Sequence, residues 1–246
     1  MPSCRCAQLE IEHNKHPYLM GSRGVFKLTE VVREGILFDA IAPWASAFTI
    51  GISQVVAGWL VADFLSGVIH WSEDRYGSPK WPVFGGAIRD TIRHHRKPRG
   101  FLGKPVWARS WRVFVIGGLG FVVFLALGIL NPFTITLCIA AAISNEIHAA
   151  AHASPRENGP VLTWLQRVGI IQSHAHHAAH HRDLKNINYC TITNWVNPLL
   201  ERVRFWRRVE VLVRLWARQR PRPDPVVRRR QRRRWHLARH QATSRS

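Results

Sequence analysis

Long apolar runs separated by short polar segments dominate the first two thirds of the chain. Residues 41–62 contain no charged side chain, and about 20 apolar residues are enough to cross the hydrocarbon core of a membrane. This run, which continues to position 71, predicts a transmembrane helix. Residues 113–130 form a second uncharged run and predict a second membrane-spanning helix.

A third helix is predicted directly after the second apolar run. Asn131 and Pro132 are typical of a helix N-cap followed by proline at the first helical position. The helix predicted from position 133 to about position 152 therefore forms a hairpin with the second apolar run.

The remaining segments are more polar. Residues 26–40 alternate charged and apolar groups at helical spacing, which is typical of a helix at a membrane surface. The same reasoning predicts a short amphipathic stretch over residues 161–172 and an Arg-rich interfacial helix over residues 198–217. Residues 72–112 are basic and interrupted by proline and glycine, so we expect a long loop there.

These elements predict an all-α, multi-pass transmembrane helical protein with three crossings. We expect a polar N-terminal segment with an interfacial helix (residues 1–40), a membrane domain (residues 41–210) and an Arg-rich, disordered tail (residues 211–246).

The charge of the chain is strongly positive, with a formal net charge of +20. Residues 201–246 contain sixteen arginines and no lysine. Such a tail can bind anionic lipid headgroups or nucleic acid, or it can remain solvated. Next to a membrane the lipid headgroup is the simpler partner, and we expect no nucleic-acid partner.

Histidine is concentrated in one part of the sequence. Ten of the fourteen histidines lie between positions 70 and 181. Three crossings place all of these clustered histidines at one face of the membrane. The basic loop and the Arg-rich tail lie at the same face, and the positive-inside tendency predicts that this face is cytoplasmic.

The spacing of these histidines favours a metal site. His148 and His152 are four residues apart on a predicted helix and share one face. Positions 176–181 have the pattern HHxxHH, and Asp74 follows His70 at helical spacing. Imidazole suits iron, zinc and copper. A single zinc takes about four ligands, so eight or more convergent histidines fit two six-coordinate irons better. Taken alone, His70 is better explained as a hydrogen-bonded structural residue, and each of the other two motifs is equally well explained by solvated or adventitiously metal-binding histidines. Their joint occurrence on one predicted face favours the metal site.

Five stretches of the sequence resemble the Kua-type lipid desaturases, the family of plasmanylethanolamine desaturase. The resemblance covers about residues 50–210. It rests on ADFLSGVIHWSEDRYGSP (62–79), RHHRKP (93–98), SNEIHAAAH (144–152), AHHAAHH (175–181) and NYCTITNWVNPLLERVRFWRR (188–208).

The resemblance implies a membrane oxidoreductase that desaturates a lipid with a His-rich di-iron centre. Its co-substrate would be dioxygen, with electrons from a donor such as cytochrome b5 or a ferredoxin. It implies Asp74 as a catalytic-site residue that orients a ligand imidazole, as carboxylates beside metal sites do; His176 also matches but ranks lower. The implied iron ligands are His70, His94, His95, His148, His152, His177, His180 and His181.

The sequence leaves the substrate open, because it departs from the family pattern after Pro98. Residues 101–111 replace a longer polar segment of the family, and Arg93 stands where an acidic residue is frequent. We expect conversion of plasmanylethanolamine to its vinyl ether, a plasmalogen, which the stretch WVNPLLER (195–202) favours. The alternatives are desaturation of an acyl chain on a phospholipid such as phosphatidylglycerol, lipid hydroxylation, and an inactive metal-binding membrane protein.

Overall fold

The computed structural model describes residues 23–183 and 187–222, which form eight α-helices and no β-strand. The all-α prediction is therefore confirmed for the described residues. Residues 1–22 of the predicted N-terminal segment and residues 223–246 of the predicted tail lie outside them. The helices are α1 (Arg23–Arg75), α2 (Gly85–Arg96), α3 (Val106–Ala126), α4 (Pro132–His152), α5 (Pro155–Arg167), α6 (His174–Asp183), α7 (Val196–Arg202) and α8 (Phe205–Ala217).

The chain divides into two compact units, Met1–Thr49 and Ile50–Ser246. The described part of the first unit is the beginning of α1. No helix end marks the boundary expected after residue 40, because α1 is continuous and contains Pro43. Membrane helices tolerate an internal proline. The second unit holds every candidate metal ligand.

Three helical segments are long and apolar enough to cross a membrane, in agreement with the three predicted crossings. They are Ala42–Arg75, Val106–Ala126 and Pro132–His152. On α3, the outward-facing side chains of Leu119 and Leu125 are 61% and 56% exposed. Extended apolar surface of this kind is typical of a membrane contact.

Local capping signals fix the hairpin between α3 and α4. Gly128 adopts a left-handed conformation (φ +67°) at the end of α3, a position that glycine occupies without strain. Asn131 caps α4 as predicted, because its side chain accepts a hydrogen bond from the Thr134 amide (3.0 Å) and Pro132 begins the helix. The hairpin returns the chain towards the end of the unit where α3 begins.

The segment at residues 187–195 packs between α1 and the rest of the second unit. The buried Asp63 carboxylate accepts hydrogen bonds from the Ile192 amide (2.7 Å) and the Thr193 hydroxyl (2.6 Å). Ile192 also belongs to an apolar cluster with Ala62 of α1 and Ala140 of α4. These contacts hold the segment against α1. The segment carries the backbone carbonyls of Ile187 and Tyr189, which contact two of the candidate histidines.

The prediction of a loop throughout residues 72–112 is wrong, because α2 lies within it. Ile88 is buried at 1% exposure, and its side chain packs against the backbone at Gly77. His95 is buried on the same helix. Only Ile88 and Ile92 are large apolar residues among its twelve positions, so the apolar pattern is too short to indicate a helix by itself.

The helix predicted over residues 198–217 is divided into α7 and α8. Arg204 lies between them in a left-handed conformation (φ +50°). Trp206 is buried at 1% exposure, and the Arg75 guanidinium donates to the Glu210 carboxylate (2.6 Å). Residues 211–217 of the predicted tail continue α8 in the structure.

Candidate metal centre

Four helices contribute the side chains that the sequence singles out. Helix α1 carries His70 and Asp74 one turn apart at its C-terminal end, and α4 carries His148 and His152 at the same spacing. The other candidates come from α2 (His94, His95) and from α6 (His177, His180, His181).

These nine residues form two groups in which the potential ligand atoms lie within 4.8 Å of one another. The first group contains His94, His148, His152, His177 and His181, and the second contains His70, Asp74, His95 and His180. The groups are adjacent, because the ring centroids of His95 and His181 lie 4.9 Å apart and those of His70 and His148 lie 5.6 Å apart.

In the first group the Nε2 atoms converge. The Nε2 atom of His177 lies 2.9 Å from that of His148 and 3.1 Å from that of His181. The Nε2 atom of His152 lies 3.2 Å from that of His148. A neutral imidazole has one N–H and one lone pair, so five facing nitrogen atoms cannot all be paired with one another. A cation at their centre would satisfy them.

In the second group the Asp74 carboxylate lies among three imidazoles. Its oxygen atoms lie 2.9 Å from Nε2 of His95, 3.3 Å from Nε2 of His180 and 3.5 Å from Nε2 of His70. The sequence suggests that Asp74 orients a ligand. The structure places its carboxylate where it could itself be a fourth ligand.

Backbone carbonyls fix the orientation of two rings in the second group. The Nδ1 atom of His70 lies 3.1 Å from the Tyr189 carbonyl, and Nδ1 of His180 lies 2.8 Å from the Ile187 carbonyl. If each Nδ1–H donates to its carbonyl, the lone pair is on Nε2. Neither Nε2 atom forms a hydrogen bond with a described residue, as expected of an atom directed at a metal.

Burial keeps the imidazoles of His94 on α2 and of His177 and His181 on α6 neutral. Desolvation, reinforced by the neighbouring His152 and His95, lowers the pKa of His94 to about 2. Burial and adjacent histidines also lower the pKa of His177 and of His181 far below the ordinary value. Neutral imidazole is the form that binds metals, so these rings are ready for coordination at physiological pH.

Two histidines of the same sequence cluster lie outside both groups. His174 directs Nδ1 to the Ala151 carbonyl (2.8 Å), and Nε2 of His176 lies 3.0 Å from the amide nitrogen of Asn197. The sequence-based ligand set does not include His174 and ranks His176 below the others, and neither residue contributes a ligand atom to the two groups.

An aromatic residue that the sequence did not single out covers the first group. The ring centroid of Phe101 lies 4.9 Å from that of His94, 5.7 Å from that of His148 and 5.8 Å from that of His152. The only indication in the sequence is that Phe101 lies in the segment 101–111, which departs from the family pattern. Phe101 presents an apolar surface next to the candidate metal site.

The donor set constrains the metal. It contains eight imidazoles and one carboxylate, and no thiol belongs to either group. Such ligands suit iron, zinc or copper rather than magnesium or calcium. The residues therefore fit two adjacent transition-metal ions.

Comparison with known proteins relates this constellation to lipid desaturation. A family model, the lipid desaturase domain, matches residues 59–224. A probable fatty acid desaturase of Acanthamoeba polyphaga mimivirus is 36% identical over 179 residues, covering 69% of this chain and 85% of that protein. Plasmanylethanolamine desaturase 1 of Mus musculus is 33% identical over 189 residues, covering 71% of this chain and 69% of that protein.

Plant relatives match over a smaller share of their length. Fatty acid desaturase 4-like 2 of Arabidopsis thaliana is 29% identical over 170 residues, which cover 68% of this chain and 61% of that protein. No solved structure matches this chain.

Proposed function

Since the chain belongs to the lipid desaturase family, we propose that it is a multi-pass membrane enzyme that introduces a double bond into a lipid tail. The observation that carries the proposal is the pair of adjacent, buried histidine groups at the ends of candidate membrane spans. A metal centre at the end of a membrane-spanning helix is within reach of a lipid tail that enters from the membrane.

Two iron ions are the proposed cofactor. His94, His148, His152, His177 and His181 would hold one ion, and His70, Asp74, His95 and His180 would hold the other. With dioxygen, a bound iron pair supplies the oxidising power to break an unactivated C–H bond, which acid–base groups cannot provide. The protein's part is to bind and orient the lipid tail and to exclude water.

The overall reaction balances with one dioxygen and two external electrons. The –CH2–CH2– unit of the lipid becomes –CH=CH– and releases two hydrogens. Together with two protons and two electrons, these reduce dioxygen to two molecules of water. The electrons require a donor, and we propose cytochrome b5 or a ferredoxin.

The preferred substrate is plasmanylethanolamine, whose product would be the vinyl ether of a plasmalogen. The WVNPLLER stretch and the relative named plasmanylethanolamine desaturase 1 support this choice. Desaturation of an acyl chain, as on phosphatidylglycerol, is the second candidate, because the mimivirus relative is named as a probable fatty acid desaturase.

We propose that the metal centre faces the cytoplasm. His70 and His152 lie at the C-terminal ends of the first and third candidate spans. Basic side chains surround the same end of the unit, including Arg89, Arg96 and Lys104. The positive-inside tendency supports a cytoplasmic face for that end.

The decisive experiment is expression in a host that contains alkyl ether lipids, followed by lipid mass spectrometry. We expect a new vinyl ether lighter by two hydrogens than its precursor. His148→Ala and His180→Ala should abolish it, because each removes a member of one group. His176→Gln is the matched control, since His176 lies in the same HHxxHH element but outside both groups.

The other outcomes separate the alternatives. An unsaturated acyl lipid without a vinyl ether would favour the second candidate, and a lipid that gains one oxygen would identify a hydroxylase. Purified protein that contained zinc and no iron, with no lipid product, would contradict the oxygenase proposal and favour an inactive metal-binding protein.

A further inference from the structure

The C-terminal end of α1 is held by a residue far away in the sequence. Arg222, which follows α8 by five positions, inserts its guanidinium among the last carbonyls of α1. It donates to the carbonyl of Glu73 (2.6 Å), to that of Asp74 (3.0 Å) and to that of Gly77 (2.9 Å). The contact is reciprocal, because the Arg222 amide donates to the Arg75 carbonyl (2.5 Å) and Arg75 donates to the Arg222 carbonyl (3.2 Å).

These bonds complete the capping of α1. The last four carbonyls of an α-helix have no partner within the helix. Here the Ser72 carbonyl accepts from the amides of Tyr76 and Gly77, and Arg222 takes the carbonyls of Glu73, Asp74 and Arg75. A cation at this position is also favoured by the helix dipole.

The capped turn is the one that carries Asp74. The Asp74 carboxylate is the only non-histidine member of the second group and lies next to His70, His95 and His180. His70 is one turn earlier and has its own anchor at the Tyr189 carbonyl. Fraying of the last turn would therefore move the carboxylate of Asp74 more than the ring of His70.

We propose that Arg222 is a positioning residue for the second metal site, an inference that rests on the proposed function. Its guanidinium holds the last turn of α1 in helical form and thereby keeps the Asp74 carboxylate among the three imidazoles. The first site is independent of Arg222, because α2, α4 and α6 supply all its histidines. The beginning of the Arg-rich tail is thus part of the catalytic unit as well as a candidate membrane contact.

Geometry rather than charge distinguishes Arg222 from its neighbours. Arg218 and Arg220 are exposed, whereas Arg222 is half-buried against α1. A guanidinium has five N–H donors in a rigid fork, and an ammonium group has a single point of charge. Lysine at position 222 could not reach all the carbonyls that the fork reaches.

The first test measures iron per chain in purified full-length protein. We expect about two irons in the wild type and about one in Arg222→Ala, with Arg222→Lys close to the alanine variant. Asp74→Asn should contain as much iron per chain as Arg222→Ala. The double variant should lose no more iron than either single variant, because both residues act on one site. Arg220→Ala is the matched control and should keep two irons.

Two truncations separate the single residue from the charge of the tail. Removing residues 225–246 deletes eight arginines but leaves Arg222 in place, so two irons should remain. Removing residues 221–246 should reduce the iron content to one. If the tail acted only as a membrane anchor, both truncated proteins would have the same iron content.

A second test needs no metal. Hydrogen exchange of the Tyr76 and Gly77 amides, which donate to the Ser72 carbonyl, should be faster in metal-free Arg222→Ala than in metal-free wild type. If the wild type bound no iron, the proposed function would fail, and this measurement would still test the cap. Unchanged exchange, two irons in Arg222→Ala, full rescue by lysine, or loss of both irons would each overturn the positioning role.

Discussion

The Nε2 atoms of His148 and His177 lie 2.9 Å apart, although the two residues are 29 positions apart in the sequence. His148 lies on α4 and His177 on α6. Two imidazole nitrogens at this distance need a shared proton or a shared cation, and three further histidine nitrogens of the group compete for the same space. A bound metal ion would satisfy these facing nitrogen atoms, whereas their close approach without a cation costs free energy.

Metal removal should therefore destabilise the protein. A ligand present at 100 times its dissociation constant stabilises the folded state by about 2.7 kcal/mol. A strong chelator should lower the thermal unfolding midpoint of the wild type in detergent. Tryptophan fluorescence measures this midpoint. The chelator should lower the midpoint less in His177→Ala, which has already lost the first site. In the His176→Gln control it should lower the midpoint as much as in the wild type. Equal shifts in all three proteins would contradict a metal site at His177.

Phe101 should influence the product rather than the metal. Its ring lies against His94, His148 and His152, so truncation to alanine opens apolar space next to the site without removing a ligand. We expect Phe101→Ala to keep about two irons and to shift the position of the double bond or the preferred chain length. Phe101→Leu should have a weaker effect. Lipid mass spectrometry and iron analysis check both statements, and loss of iron in Phe101→Ala would assign the ring a structural role.

Much of this centre could be predicted from local spacing. His148 and His152, like His70 and Asp74, are one helical turn apart, and the apolar runs place both pairs at span ends. Helix α2 was missed because it buries few residues, Ile88 and His95 among them. The contribution of Arg222 was not predictable, because its partners lie almost 150 positions earlier, and no local pattern distinguishes it from the other arginines of the tail.

Asp63 should act as a structural carboxylate that supports the second site. It accepts from the Ile192 amide and the Thr193 hydroxyl, and the same segment supplies the Tyr189 carbonyl to His70. Asp63→Asn keeps the size but replaces one acceptor with a donor. Leaving a buried polar group unpaired costs about 1–3 kcal/mol, so the unfolding midpoint should fall.

The matched comparison for Asp63 is Thr193→Val, which removes only the hydroxyl. We expect a smaller loss of stability, because the bond from the Ile192 amide remains. Iron content should follow stability in both variants. An Asp63→Asn protein with unaltered stability but no activity would instead indicate a direct role of Asp63 in the chemistry.

The α3–α4 hairpin offers a test of close helix packing with an internal control. A Cβ atom at Gly117 would lie 2.7 Å from the Cys138 carbonyl oxygen and 2.8 Å from the Ala142 Cβ atom, whereas nothing lies within 4 Å of one at Gly118. Gly117→Val must therefore push α3 away from α4, and overpacking of this kind costs about 1–3 kcal/mol. Because α4 carries His148 and His152, the displacement should also lower iron content and activity. Gly118→Val adds the same side chain to the same helix without a collision, so its unfolding midpoint and iron content should remain close to those of the wild type. Equal losses in the two variants would mean that valine itself, rather than the contact with α4, is responsible.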